Sequence, residues 1–299
     1  PEPKPIVPLY GRYSSKEMKE LFPADPSTDF RYLCSPDMRK YFSDETKYLG
    51  WRNVWVSLAD VQQSLGLNIT PQQLDALKKM ELDINYARAR EIERKTKHDV
   101  MSYLREFAEK VEPECPGAGG ILHLGATSCT ITDHEELAAM KNGMALVYSK
   151  LGKLKDRLVQ KSGGQQRAGY MADIDFARNE LEHRMNSLKA RGAKGTTGTQ
   201  ASYLTLFGGN HEKVKLLDSN LGQKLGFKGS YTITGQTYPR IVDYQIISGL
   251  GLVAEVLKCI SADFRVDRNL GQTLSHVQDC AANAAYMASS QWLERTLDD

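Results

Sequence analysis

The histidines are the side chains of this sequence best suited to proton chemistry, because only histidine titrates near neutral pH without help from its surroundings. His98 stands between a lysine and an aspartate, and His123 lies in a glycine-rich segment just before the hydroxyl pair Thr127 and Ser128. A lone histidine is more often structural than catalytic. Two histidines accompanied by charges and hydroxyls predict a site that orients, polarises or protonates a polar substrate.

The other four histidines give weaker signals. His134, His183 and His211 lie among charged residues at helical spacing, which predicts solvated surface positions. The sequence around His276 favours neither a structural nor a functional interpretation.

Two glycine-rich segments, residues 116–129 and 192–200, connect helical stretches. Each could simply turn the chain, or its backbone N–H groups and hydroxyls could approach an anionic ligand closely. Neither segment matches the phosphate-binding P-loop, and neither follows a convincing strand. A nucleotide-binding α/β domain is therefore disfavoured.

Two further groups of residues could bind anions. The pair Arg31 and Tyr32 could supply a guanidinium fork and a phenol to a phosphate, or could be an ordinary surface pair. Arg295, in the run 294–299, could likewise belong to a solvated helix end. These residues alone leave both alternatives open.

Composition indicates a globular protein of ordinary charge. The 299 residues are 41% hydrophobic and 25% charged, and the net charge of +2 predicts no nucleic-acid partner. The five cysteines form no CxxC pair, which argues against a zinc site or a disulfide framework and favours a reducing cytoplasm. The most apolar stretch, residues 246–260, is interrupted by polar and charged side chains, so we expect neither secretion nor a membrane partner.

The apolar spacing predicts an all-α fold. Apolar residues recur every three or four positions from Asp44 to Leu65, and Thr70-Pro71 has the form of a helix start. Strand signals are few, the clearest being Tyr231 to Ile233. The remaining predicted helices cover residues 83–110, 132–161, 173–191 and 240–269.

We place the domain boundary at the first glycine-rich segment. Residues 1–126 form a smaller N-terminal helical domain, and residues 127–299 belong to an incomplete central bundle of long helices. Long helices with apolar stripes usually complete their burial against other chains, so we also expect a helical oligomer.

Six strings together resemble the eukaryotic-type adenylosuccinate lyases, a family of the fumarase and aspartase superfamily. They occur in the family's order and run from about Phe30 to the last residue. Related lyases, such as argininosuccinate lyase, share the helical fold but not this set. The strings are Arg31-Tyr32 with Cys34-Ser-Pro-Asp-Met38, Lys97-His-Asp-Val-Met101, His123-Leu-Gly-Ala-Thr-Ser-Cys129, Lys194-Gly-Thr-Thr-Gly-Thr-Gln200, Ile233-Thr-Gly-Gln-Thr-Tyr238 and Gln291-Trp-Leu-Glu-Arg-Thr-Leu-Asp-Asp299.

The resemblance implies a fumarase-like long-helix bundle and a β-elimination. Fumarate would leave adenylosuccinate to give AMP, and would leave succinylaminoimidazole carboxamide ribotide in the same way. No cofactor or metal would be needed, and a homotetramer would share its active sites between subunits. By matching position the substrate-binding residues would be Arg31, Tyr32, Lys97, His98, Asp99, Thr127, Ser128, Gln236 and Arg295, with His98 in a supporting catalytic role.

The sequence departs from the family at its catalytic acid and base. The histidine-bearing string expected between Lys161 and Asp173 is absent, as is the serine-bearing loop expected after Leu270. The family also continues beyond the string that ends at Asp299. We expect these residues to be segments of a longer protein; the alternative is a genuinely shortened, catalytically dead helical oligomer.

Overall fold

Helices make up the architecture of the computed structural model, which describes residues 35–160, 165–266, 277–278 and 280–285. Within these residues a 3₁₀ turn covers Ala118–Ile121, and no strand is present. The segment 231–233, predicted as a strand, is not one: pairing there is limited to a single bridge between Ala190 and Ser230. The helices are α1 Pro36–Tyr41, α2 Asp44–Ser64, α3 Pro71–Met80, α4 Tyr86–Thr96, α5 Asp99–Val111, α6 Ser128–Gln160, α7 Gln165–Ser187, α8 Ala201–Leu206, α9 His211–Lys224 and α10 Ile241–Val266.

Local signals account for the early helices. The Thr70 hydroxyl accepts a hydrogen bond from the Gln73 N–H, and the Gln73 side chain accepts from the Thr70 N–H, which closes a capping box ahead of α3. In α2 the predicted apolar face is confirmed, and Trp51, Trp55 and Leu58 are buried on it. Each such side chain stabilises the fold by about 2 kcal/mol.

The predicted single helix over residues 83–110 is wrong, because the structure has two helices there. Lys97 adopts a left-handed backbone, with φ 54°, which a helix interior does not tolerate. His98 is extended and caps α5, its Nδ1 accepting a hydrogen bond from the Met101 N–H at 3.4 Å. His98 therefore lies at a helix N-terminus, and not within a long helix.

The long helices pack against one another through apolar side chains. Helix α7 contacts both α6 and α10, and the predicted segments 132–161, 173–191 and 240–269 are confirmed apart from their ends. Helix α6 begins at Ser128, next to the boundary placed between residues 126 and 127, and α2 also packs against it. The division into two domains stays a prediction.

Helix α10 carries an apolar surface that the described residues leave partly uncovered. Its segment Ile241–Ala262 is long and apolar enough to cross a membrane, a criterion that core helices also meet, and it is the single such segment in the described part of the chain. About a third of that segment is buried (33%). Tyr244 and Ile247 are among its exposed large side chains.

A buried arginine joins the loops that surround the start of α6. Arg191 is fully buried, and its guanidinium donates to the carbonyl oxygens of Lys194, at 2.7 Å, and Gly195, at 3.0 Å. It also donates from Nε to the carbonyl oxygen of Gln236 at 2.7 Å. One side chain thus holds the second glycine-rich segment and the segment around Gln236 in one arrangement.

Two residues of α6 complete this network. Asp133 accepts a hydrogen bond from the Tyr238 N–H at 2.7 Å, and burial raises the pKa of its carboxyl to about 6. His134 is fully buried, so the predicted surface position is wrong. One ring nitrogen contacts the Thr130 carbonyl oxygen, and the other accepts from the Gly192 N–H at 3.1 Å. Burial lowers the His134 pKa to about 4.

The neutral His134 predicts acid sensitivity. Between pH 6.5 and 4 the unfolded chain protonates this histidine and the folded chain does not, so stability falls as the pH falls. From pH 7.5 to 4.5 the cost at this residue is on the order of 2 to 3 kcal/mol. Urea unfolding at both pH values should therefore show a smaller acid-induced loss for His134→Gln than for the unaltered protein.

The comparison isolates His134 because other groups titrate alike in both proteins. The raised pKa of the buried Asp133 favours the folded chain as the pH falls, which is the opposite of the effect of His134. This contribution and that of His123 are the same in the His134→Gln variant and in the unaltered protein. An equal loss of stability in the two proteins would contradict the prediction.

Candidate active site

The junction between α4 and α5 meets the start of α6. His98 Nε2 lies 3.2 Å from Ser128 Oγ, although the two residues are 30 positions apart in the chain. When Nδ1 accepts from the Met101 N–H, the neutral ring carries its proton on Nε2 and can donate to the serine or to a ligand. Lys97 and Asp99 flank this imidazole, and both His98 and Asp99 are exposed to solvent.

His123 lies beside this contact as a neutral imidazole. Its Nδ1 accepts a hydrogen bond from the buried Trp55 indole at 2.9 Å, which places its own proton on Nε2. Burial, reinforced by the nearby His98, lowers the His123 pKa to about 4. The backbone φ of 62° shows that the loop holds this residue in an uncommon conformation. At neutral pH His123 can donate a hydrogen bond but does not carry a positive charge.

Thr127 and Ser128 form the entry to α6. The Thr127 carbonyl oxygen accepts from the Thr130 N–H at 2.9 Å, so the helical hydrogen bonding starts here. The first N–H groups of a helix have no partner within it and create a positive field at its N-terminus. This end of α6 therefore favours carboxylate or phosphate groups.

Gln236 also reaches this end of α6. Its side chain is exposed and makes a hydrogen bond with the thiol of Cys129. Burial raises the pKa of that thiol, an effect to which Asp133 adds and which the bond with Gln236 partly offsets. Gln236 and His98 thus reach neighbouring residues, Cys129 and Ser128, at the first turn of α6.

The second glycine-rich segment packs tightly against the Gln236 segment. At Gly198, with φ 75°, a Cβ atom would lie 2.0 Å from the Thr234 carbonyl oxygen. Glycine is therefore required for the two backbones to approach this closely. The Ser202 hydroxyl donates to the Gly125 carbonyl oxygen at 2.8 Å and links this segment to the first glycine-rich one.

The structure thus brings together six of the nine residues proposed from the sequence: Lys97, His98, Asp99, Thr127, Ser128 and Gln236. Arg31, Tyr32 and Arg295 lie outside the described residues, as does His276. The junction at 161–164 and the segment 267–276, where the acid and base were expected, also lie outside them. The described residues contain no group of three or more potential metal ligands.

Sequence reasoning missed the residues that support this site. Arg191, Asp133 and His134 were not among the predicted site residues, and His134 was assigned to the surface. One usable signal was the position of Arg191, immediately before a glycine and the string that begins at Lys194. The periodicity of α6 gives no such signal, because charged neighbours surround His134 in sequence.

Comparison with known proteins identifies relatives of this chain. No protein-family model matches it. It is 31% identical to the adenylosuccinate lyase of Schistosoma mansoni over 346 residues, which cover 98% of this chain and 66% of the relative. It is also 31% identical to the adenylosuccinate lyase of Schizosaccharomyces pombe over 347 residues, covering 98% and 67% respectively.

The lengths of these matches are informative. They exceed the 299 residues of this chain, so the relatives carry internal segments that the chain lacks. The chain spans about two thirds of the length of these relatives (66% and 67%).

A solved structure supports the fold. A fumarate lyase from Mesorhizobium sp. BNC1 matches with a TM-score of 0.66 at 16% identity, covering 86% of this chain and 74% of that one. This likeness confirms the expected all-α, fumarase-like helical fold. The sequence relatives show that the chain belongs to the adenylosuccinate lyase family of carbon–nitrogen lyases.

Proposed function

We propose that this protein is an adenylosuccinate lyase, which eliminates fumarate from adenylosuccinate to give AMP. We extend the proposal to succinylaminoimidazole carboxamide ribotide, which carries the same succinyl group on nitrogen. One observation carries the proposal: His98, Ser128 and Gln236, which are far apart in sequence, meet at the N-terminus of α6. Because the chain belongs to the adenylosuccinate lyase family, we interpret this arrangement as a binding site for adenylosuccinate.

The geometry suits a substrate with several negative charges. In this elimination a base removes a proton beside a carboxylate, charge gathers on that carboxylate, and an acid protonates the departing nitrogen. The α6 N-terminus, the Thr127 and Ser128 hydroxyls and the Lys97 ammonium would stabilise the succinyl carboxylates. His98 would orient or polarise the substrate through Nε2–H without acting as the sole acid. No step requires a cofactor.

The first test is fumarate release, measured with both substrates and accompanied by the intact mass of the protein. We expect release from each substrate, and a mass that includes acid- and base-bearing segments at the junctions after Lys161 and Leu270. A mass equal to the 299 residues without fumarate release would contradict the enzyme proposal. It would favour the alternative, a non-catalytic helical oligomer.

His98→Ala should lower turnover by about 100-fold, the usual contribution of a positioned polar group in proton-transfer chemistry. The exposed cap contributes modestly to folding, so the thermal midpoint should change little. His211→Ala, at an exposed helix start, is the matched control and should keep full turnover. Near-normal fumarate release by His98→Ala would remove this residue from the site.

The exposed apolar surface supports a homotetramer. Tyr244 is 68% exposed and Ile247 38% exposed on α10, and Phe176 on the adjacent α7 is 65% exposed. Apolar patches of this kind usually contact another chain. We propose that copies of this protein pack their α7 and α10 helices together, which would let subunits share active sites.

The free cysteines of the described residues agree with a cytoplasmic location.

Introducing charge on this surface should separate the subunits. The double variant Tyr244→Glu/Ile247→Glu should lower the mass measured by light scattering to that of a smaller assembly, because an interface does not accommodate unpaired carboxylates. Leu216→Glu, at a 49% exposed position of α9, should leave the mass unchanged. An unaltered mass for the double variant would exclude this face as the interface.

A further inference from the structure

We propose that Arg191 and Asp133 are positioning residues that hold Gln236 against the first turn of α6. The proposal rests on the proposed function only in assigning Gln236 to the substrate site. The two residues contact Gln236 and its neighbours through backbone atoms, so they would act on the substrate through that segment and not by direct contact.

Arg191 fixes the backbone at Gln236 itself. Its Nε donates to the Gln236 carbonyl oxygen at 2.7 Å, while its terminal nitrogens donate to Lys194, Gly195 and the Thr130 hydroxyl. The planar guanidinium makes these bonds from one rigid group. Nε carries a single N–H, so displacement of the Gln236 segment would break the bond that this donor makes.

Asp133 fixes the same segment two residues further on. Its Oδ2 accepts from the Tyr238 N–H at 2.7 Å and lies 3.8 Å from Arg191 Nε. Asp133 belongs to α6, one turn after Cys129, the residue that the Gln236 side chain reaches. The backbone is thus held at the Gln236 carbonyl and again at the Tyr238 N–H, and the exposed amide of Gln236 reaches the first turn of α6.

The free-energy cost of burying the charged pair Arg191 and Asp133 supports a positioning role for these two residues. Both side chains are fully buried, at 0% and 1% exposure. A buried ion pair is often no more stabilising than apolar residues of the same size. What the pair adds is directionality, because each hydrogen bond specifies where one backbone group of the Gln236 segment lies.

Cys129 provides a reporter that does not require turnover. Its thiol is half-buried and bonded to Gln236, so release of the Gln236 amide should expose it to alkylation. Iodoacetamide labelling followed by peptide mass spectrometry would give the rate at each cysteine. The exposed Cys259 controls for the reagent, and the buried Cys280 reports loss of the fold.

Gln236→Ala should raise the Cys129 labelling rate by about fivefold, as expected for the loss of one hydrogen bond. Arg191→Lys and Asp133→Ala should each raise it to a similar extent, with Cys280 still protected. Asp133→Asn removes the same charge from beside the thiol but keeps a carbonyl oxygen for the Tyr238 N–H, so Cys129 should be labelled more slowly in Asp133→Asn than in Asp133→Ala. If Arg191→Lys unfolds the chain, Asp133→Ala, which removes fewer bonds, decides the outcome.

Unchanged Cys129 labelling in folded Asp133→Ala, or in Gln236→Ala, would overturn the proposal. The kinetics of fumarate release provide a second, independent test of the proposal. Asp133→Ala and Gln236→Ala should each raise KM for adenylosuccinate, and the double variant should raise it no further than one of them alone. If the double variant instead raises KM by the product of the two single effects, Asp133 does not act through Gln236. If no fumarate is released, the proposed function is wrong. The Cys129 labelling rates alone then test whether Arg191 and Asp133 position Gln236.

Discussion

The geometry of the candidate site depends on the buried guanidinium of Arg191. Four carbonyl oxygens from two separate segments converge on it. A buried arginine is costly unless its donors find acceptors, so the loops must take the positions that supply them. The close approach at Gly198 follows from the same requirement, because that segment is held against the Gln236 segment.

Helix ends, and not helix faces, carry the polar groups of this site. His98 caps α5, and Thr127 and Ser128 open α6. Two helix N-termini therefore point into one region, and their helix dipoles give it a positive potential. The long helices place these ends rigidly, because they are packed along their apolar stripes and cannot shift independently. A substrate with a phosphate and two carboxylates suits such a region.

Under the proposed function, substrate binding and proton transfer would occupy different parts of this protein. The residues that converge in the described chain are those suited to binding and orientation. The acid and base expected from the family would come from the regions after Lys161 and Leu270, and the relatives carry internal segments that this chain lacks. That separation has a physical basis, since groups that close over a substrate belong to segments that move, whereas binding groups need a fixed scaffold.

The sequence by itself determined the local elements and the family. Caps at Thr70 and apolar stripes such as that of α2 depend on neighbours a few residues apart, and the six strings were sufficient to identify the lyase family. The tertiary structure alone decided three features: the break at Lys97, the burial of His134 and the hydrogen bonds that Arg191 makes to the two loops. Each depends on partners distant in the chain. His98 meets Ser128 30 positions later, and Arg191 meets Gln236 45 positions later. Because burial and long-range hydrogen bonds set these positions, periodicity and local propensity carried no information about them.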